Sequence, residues 1–359
     1  MEFLARVPML AWWEDKCVEK KKIILMIGLV LIAIALPLGF NNSYLSHILF
    51  MTVYYAFLSS SWNLVGGFAG QLAIGNGVYV GIGLYITIGF FMGYGVSPWI
   101  GILLAGLLTG LVSMILGCAT FRLSGSYYGL STVALLNILR IWFSENDRLF
   151  GLFFGGSAGV RVTWIGGWKW MEFVDKNVYY FIMLALLLLL LVGTYWMSKS
   201  KFGYYLLAIS TNQNAAASLG VNVYGNKLIA QFISAFLMAI GGGIYGMFII
   251  YTDPQTIFSF QVSFNIMLMA VFGGRGTVFG PLIGSIILTP FYELLRINLS
   301  TVLPGLPMAL YGLMLMLCMQ FMPKGFIDTV LRAVGVRKLK TFQSAHPQSG
   351  GEENEVGRT

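Results

Sequence analysis

The stretch "FGYYLLAISTNQNAAASLGVNVYGNK", residues 202–227, decides how this chain is read. Before it runs "VYYFIMLALLLLLLVGTYW" (178–196), and after it "LIAQFISAFLMAIGGGIYGMFII" (228–250); both are nearly free of polar groups. Each is about as long as the roughly 20 apolar residues that a helix needs to cross a bilayer. The stretch between them carries no charge between Lys201 and Lys227. It is too polar to face lipid and too uncharged for an ordinary solvated loop. A connection of that kind between two spans suits either a contact with another protein or a short helix lying on the lipid surface.

The composition agrees with many spans. The chain has 359 residues, 57% of them hydrophobic and only 10% charged, where a soluble domain carries about 25% charged residues. A mean hydropathy of +0.79 is beyond what one anchoring helix gives. The net charge of +8 does not make a nucleic-acid surface, because the basic residues gather near the chain ends and no aromatic-basic stripe lies between. Cys17, Cys118 and Cys318 form no CxxC or His-paired cluster, and the last two read as buried thiols in apolar runs. The two histidines, His47 and His346, make a histidine metal site improbable. Gly-Lys never occurs, so no P-loop exists. No paired acids, metal cluster or nucleophile constellation is apparent, so the expectation is no catalytic residue, no metal and no cofactor.

Apolar runs fall at about 23–40, 44–65, 74–94, 98–119, 127–143, 178–197, 227–251, 264–273, 278–295 and 303–322. The eighth is too short to span alone and reads as a broken or re-entrant helix. The fold class is therefore all-α: a polytopic transmembrane helical bundle of about 8–10 spans. A segment 1–22 precedes the bundle at 23–322, with connecting loops at 144–177 and 198–227 and a basic, then polar, tail at 323–359. The first run lacks a small-residue cleavage pattern and reads as a span rather than a signal peptide. Lys16, Lys20, Lys21, Lys22, Lys199, Lys201, Lys227, Lys324 and most other basic residues fall on one side. The positive-inside rule then puts both termini and loop 198–227 in the cytoplasm and loop 144–177 outside. In that outer loop Trp164, Trp168 and Trp170 suit either interface anchoring or the docking of an external partner. Glu293 and Arg296, spaced i,i+3, are either an intramembrane ion pair or a snorkelling interfacial pair.

Two segments interrupt the apolar pattern with clustered glycine. They are "SSSWNLVGGFAGQLAIGNGVYVGIGLY" (59–85) and "MAVFGGRGTVFGPLIGSIILTP" (269–290). Glycine allows backbone conformations other residues resist, so both can support unwound, cavity-lining backbone. Such breaks in corresponding halves mark substrate paths in secondary transporters. Asn63, Gly66, Gly67, Gly70, Gln71, Asn76, Gly273, Gly274, Gly276 and Gly280 are the candidate pathway residues. The scattered pairs Gly77/Gly81, Gly89/Gly93, Gly106/Gly110, Gly242/Gly246 and Gly280/Gly284 read equally as helix-packing contacts. No span centre carries an ionisable group of the kind that proton coupling needs, so energy for active transport would come from another polypeptide.

These motifs resemble a known family. "WNLVGGFAGQLAIGNGVYVGIGLY" (62–85) is similar to the first signature of branched-chain amino acid ABC permeases of the LivM and LivH families. "RLSGSYYGLSTVAL" (122–135), "GRGTVFGPLIGS" (274–285) and "MPKGFI" (322–327) resemble later signatures, in order, and favour the LivM type. In loop 198–227, Phe202, Gly203, Leu206, Ala208, Ile209, Ala215, Ala216, Leu219, Gly220 and Asn222 match the family's coupling loop. The resemblance implies a short helix that docks on an ATPase, with Ala208, Gln213, Ala215, Ala216, Leu219 and Gly220 as coupling residues. Ser210 or Thr211 can cap its start and Gly220 can end it. Tyr204, Leu207 and Ser210 stand where the family has arginines, and Thr211, Asn212 and Gln213 where it has acids. Ala73 and Asn76 replace a Ser and a His.

What the resemblance implies is a permease subunit in the plasma (inner) membrane, within an ABC importer for branched-chain or other hydrophobic amino acids. Its expected partners are a LivH-like permease, two cytoplasmic ATPases that hydrolyse the ATP, an external solute-binding protein and the lipid bilayer. Two alternatives stay open: the same scaffold importing urea or short amides, and a stand-alone channel or sodium-coupled carrier.

Overall fold

The computed structural model describes residues 37, 43–123, 125–149, 151–163, 166–299, 305–321 and 326. The long helices are α1 (Ser43–Asn63), α2 (Gly77–Tyr94), α3 (Pro98–Thr120), α4 (Ser126–Glu145), α5 (Asn177–Lys199), α8 (Val223–Ile249), α10 (Phe260–Gly274), α11 (Gly280–Leu299) and α12 (Leu306–Phe321). Short helices α6 (Lys201–Thr211) and α7 (Gln213–Ser218) join α5 to α8, and α9 (Pro254–Ile257) precedes α10. Four two-residue strands, β1 (Arg148–Leu149), β2 (Leu152–Phe153), β3 (Val160–Arg161) and β4 (Tyr251–Thr252), pair antiparallel as β1–β2 and β3–β4.

Seven stretches of the described residues are long and apolar enough to cross a membrane: α1 with the turn after it, α2, α3, α5, α8, α9 with α10, and α11. The chain is thus an all-α, multi-pass membrane protein. Helix α4 forms where a span was expected, but Asn137, Arg140 and Glu145 make it less apolar. The run at 23–40 lies almost wholly outside the described residues.

The run at 264–273 does not span alone, as expected: the span over Pro254–Gly274 needs α9 as well, and the two helices are broken at Phe258–Ser259. The polar Ser263 just before this run and Asn265 within it are buried against protein rather than lipid, where polarity costs less. Capping extends the element too, since the Ser259 hydroxyl accepts from Val262 N–H at 3.3 Å. Cys118 lies on the outer face of α3, away from the protein core, where a membrane-buried thiol would also lie.

Two helices organise the rest. Helix α1 packs against α5, α8, α10 and α11, while α8 packs against α2 and α3. Lipid tails provide no hydrophobic drive for helices to associate, so close packing and polar contacts must do it. Glycines supply the close approach. A Cβ on Gly242 of α8 would lie 2.1 Å from the Val80 carbonyl oxygen of α2, and one on Gly83 would lie 2.3 Å from Ala239 Cα. On α3, Gly106 and Gly110 receive the rings of Phe236 and Phe232. Hydroxyls add specific ties: Ser234 of α8 donates to the Ser61 carbonyl at 2.8 Å, and Ser59 and Ser285 share a hydrogen bond of 2.9 Å between α1 and α11. The glycine pairs are therefore packing contacts.

Loop 198–227 and the strand pairs sit at opposite ends of the bundle, because α5 and α8 each run from one to the other. At the strand end, Trp168 is exposed while Trp170 packs on Phe91 at 5.7 Å. Trp164 lies outside the described residues. Glu293 is buried and Arg296 is exposed, with 3.8 Å between their charged groups. This pair combines both readings: one partner is held inside and the other reaches out.

The packing makes a direct prediction. Gly242→Val would force side-chain atoms onto a backbone carbonyl that cannot turn aside, costing roughly 3 kcal/mol. Gly193 on α5 has nothing within 4 Å of a built Cβ, so Gly193→Ala should leave stability unchanged or raise it by about 0.5–1 kcal/mol. Thermal unfolding of the two variants in detergent checks the contrast.

Candidate functional site

The first break begins where α1 ends. Asn63 passes into one π-helical turn, Leu64–Phe68, and α2 does not start until Gly77. Trp62 folds its ring over Gly66, where a Cβ would come within 2.1 Å of it, and its indole N–H donates to the Ala73 carbonyl at 2.6 Å. The chain reverses at Gly70, whose φ of +68° suits glycine. Gln71 N–H then donates to Val65 O at 3.0 Å, and its side chain donates to Ala69 O at 3.2 Å. Gly75 N–H donates to Thr132 Oγ1 of α4 at 3.0 Å. Segment 69–76 thus runs from the α6 end, where Gly70 meets Ser210, back into the bundle, where Gly77 meets Ser263. Non-helical backbone at this depth is tolerated because protein encloses it.

The second break joins α10 to α11. Gly274 and Gly276 both have positive φ, at 125° and 73°. Gly273 meets Gly280 so closely that a Cβ would lie 1.8 Å from the Gly280 carbonyl oxygen. Thr277 closes the turn: its hydroxyl donates to Gly274 O at 2.7 Å and accepts from Gly280 N–H at 3.0 Å.

One side chain joins the two breaks. Asn63 Oδ1 accepts from Gly276 N–H at 2.8 Å, and Asn63 Nδ2 donates to Thr277 O at 2.8 Å. A carboxamide is one donor-acceptor unit that can mimic a peptide pairing. Gly67 leaves room for it, since a Cβ there would lie 1.8 Å from Asn63 Oδ1. The structure therefore brings Asn63, Gly66, Gly67, Gly273, Gly274, Gly276 and Gly280 into one assembly. Gly70 and Gln71 lie on its α6 side. Asn76 stands apart, 1% exposed, and both of its amide atoms lack a hydrogen-bond partner. The hydroxyl of Ser263, beside Gly77, is also buried without a partner. Ser263 was not among the candidate pathway residues read from the sequence.

At the same end, α6 and α7 form a tip. Ser200 caps α6 by accepting from Gly203 N–H at 3.4 Å. The cap of α7 is Asn212, not Ser210 or Thr211: its Oδ1 accepts from Asn214 and Ala215 N–H at 3.0 and 3.1 Å. Ser210 and Thr211 instead bond back to the Leu207 carbonyl within α6. Helix α7 ends as expected at Gly220, with φ +83°. Val221 N–H reaches Ala216 O at 3.1 Å and Gly220 N–H reaches Ala217 O at 2.9 Å, the paired bonds of a Schellman stop. Of the expected coupling residues, Ala215, Leu219 and Gly220 are exposed, and Leu219 is 84% so. Ala208 and Gln213 are half-buried, and Ala216 turns inward at 2% exposure. Lys227, read as a boundary charge, is buried at 3%; its Nζ donates to Gln213 Oε1 at 2.8 Å and ties α7 to the base of α8.

At the opposite end lies a cleft of about 220 Å³, bordered by α1, α8, β4, α9 and α10 and walled largely by tyrosine. The sequence pattern gave no sign of it, because its residues are scattered over five elements.

With this geometry in view, comparisons with known proteins give the class. Residues 44–319 match the family described as branched-chain amino acid transport system / permease component. The chain belongs to that family of ABC importer permeases. It is 27% identical over 306 residues to the high-affinity branched-chain amino acid transport system permease protein LivM of Salmonella typhimurium, covering 79% of this chain and 70% of that protein. LivM of Escherichia coli is 25% identical over the same shares. A nucleoside ABC transporter permease protein, NupC of Lactococcus lactis, is 24% identical over 55% of this chain and 63% of its own length.

The Asn63 tie carries a stability prediction. Asn63→Leu would leave Gly276 N–H and Thr277 C=O without their partner, at about 1–3 kcal/mol for each buried group. The melting temperature of the detergent-solubilised chain should fall by several degrees, and limited proteolysis should open first at 273–280.

Proposed function

We propose that this chain is a LivM-type permease subunit importing branched-chain or other hydrophobic amino acids, driven by ATPases on separate chains. In this reading it sits in the plasma (inner) membrane with the α6–α7 end and both termini cytoplasmic. It pairs with a LivH-like permease, two ATPases dock from the cytoplasm, and a solute-binding protein docks over loop 144–177. The chain holds no cofactor and hydrolyses nothing.

The observation that carries this reading is the tip. An uncharged six-residue helix, capped at both ends, presents an exposed leucine with small residues around it. Groove docking needs such an apolar knob and few charges at the core of the contact. A membrane-surface helix would need the lysines and arginines this one lacks. The tip also has a mechanical route inward: Ser210 lies where a Cβ on Gly70 would come within 2.9 Å of it. Rotation of α6 and α7 on nucleotide binding would press on the turn that begins the first break. Asn63 would pass the displacement to the second.

Cargo would meet Asn76 and Ser263 beyond the breaks. Buried polar groups without partners cost stability, so their retention fits a transient partner such as a passing solute. An unpaired carboxamide also suits urea or a short amide, and competition uptake separates the two cargo classes.

Two substitutions test the scheme. Leu219→Asp should reduce ATPase co-purification by tenfold or more with no change in melting temperature, because the side chain is exposed. Asn76→Leu should leave stability unchanged or raise it by about 1 kcal/mol, since two unsatisfied atoms are removed, while uptake falls at least tenfold. A loss of stability without loss of uptake would assign Asn76 a packing role instead.

A further inference from the structure

The tyrosine-walled cleft at the β3–β4 end takes no part in the scheme above. It is a small, partly open cleft, mostly apolar with few polar groups, the lining chemistry of a ligand site. Tyr54 and Tyr245 stack at 4.6 Å, and Tyr55 meets Tyr54 edge-on at 5.4 Å. The Tyr54 hydroxyl is buried without a partner. Tyr251 and Ile257 complete the wall, and Asp253 is the one charged residue lining it.

Asp253 is held in place. Its two oxygens accept from Thr256 N–H at 2.7 Å and Thr256 Oγ1 at 3.0 Å, which uses half of a carboxylate's accepting capacity. Among the described residues, no lysine or arginine forms an ion pair with Asp253. A carboxylate in an otherwise uncharged, aromatic wall attracts a cation. The tyrosine faces add to that, because their quadrupoles favour an ammonium group. A crevice meant only for lipid tails would gain nothing from the charge.

The wall is also built with strain. Ile250, between the lining residues Ile249 and Tyr251, has φ +70°, a region that β-branched residues avoid. Loop 144–177 holds it there: Val162 N–H donates to Ile250 O at 2.7 Å, β3 pairs with β4, and the Tyr251 hydroxyl donates to Ala158 O at 3.1 Å. Backbone strain of this kind gathers at functional sites.

We propose that this cleft is the permease's entry subsite and admits solutes with a free ammonium group beside an apolar group. Asp253 takes the ammonium; the tyrosine rings and Ile257 take the apolar part. This rests on the reading of the chain as an amino-acid importer and adds what that reading lacks, a basis for recognising the amine.

The test uses the full chain with its native partners in cells, measuring uptake of radiolabelled leucine. Asp253→Asn removes the charge but keeps the helix cap, since Asn caps as well as Asp. The KM for leucine should rise at least tenfold with maximal rate retained, and Asp253→Glu should recover part of the loss. Isopentylamine should compete in the wild type and lose that effect in Asp253→Asn, while 4-methylpentanoate, which lacks the amine, should compete in neither. An unchanged KM in Asp253→Asn, or competition by 4-methylpentanoate equal to that by isopentylamine, overturns the subsite and leaves the importer reading standing. If the wild type takes up no amino acid, that reading falls instead. The subsite is then judged on chemistry alone, with Val262→Cys in a chain whose native cysteines are serine. A cationic thiosulfonate should modify this cysteine at least fivefold faster than an anionic one, and Asp253→Asn should erase the difference. Equal rates overturn the proposal.

Discussion

The carboxamide of Asn63 holds together the part of this molecule that is least like an ordinary membrane helix bundle. Two segments leave helical geometry inside the bundle, and each exposes backbone groups that lipid cannot satisfy. Asn63 satisfies one N–H and one C=O of the second break from the end of the first. The glycines on both sides exist to let that happen: Gly67 makes room for the amide, and Gly276 supplies an N–H from a left-handed turn. Helix packing and the Ser59–Ser285 hydrogen bond also hold α1 to α11, but Asn63 is the side chain that bonds the backbone of the second break directly. With it, anything that displaces the first break also displaces the second.

That coupling gives the uncharged loop a purpose. Helices α6 and α7 are anchored in the bundle by Leu206, buried with Leu64, Phe68 and Phe121, by Ser210 against Gly70, and by Gln213 with the buried Lys227. A buried ammonium is costly unless hydrogen-bonded, and the Gln213 oxygen and the face of the Phe121 ring, 5.8 Å away, meet that need. The tip is therefore a stiff projection rather than a tether. In the proposed mechanism it transmits force inward.

Much of this was legible in the sequence. The spans followed from apolar length, and both breaks followed from glycine density at 59–85 and 269–290, joined in the first by the amides Asn63, Gln71 and Asn76. Gly220 announced the end of α7. Other features were not legible for physical reasons. Ser210, Thr211 and Asn212 are all competent caps in a row, and only the turn between α6 and α7 selects Asn212. A helix as short as Gln213–Ser218 has too few turns for periodicity to tell that Ala216 faces in and Leu219 out. The inward burial of Ser263 and Asn265 was not legible, because hydropathy cannot distinguish a polar group facing protein from one facing lipid. Asp253 reads as an ordinary loop acid, and only the fold sets it among four tyrosines from three elements.

The most direct test of the central claim is the energy requirement of transport. The complex retained by a tagged full chain would be purified in mild detergent and reconstituted into proteoliposomes, and leucine flux measured with and without ATP on the α6–α7 side. The account predicts flux only when ATP and the co-purified ATPase are both present, and none from the chain alone. Leucine flux through the isolated chain without ATP would contradict it and make this protein a self-sufficient channel or carrier.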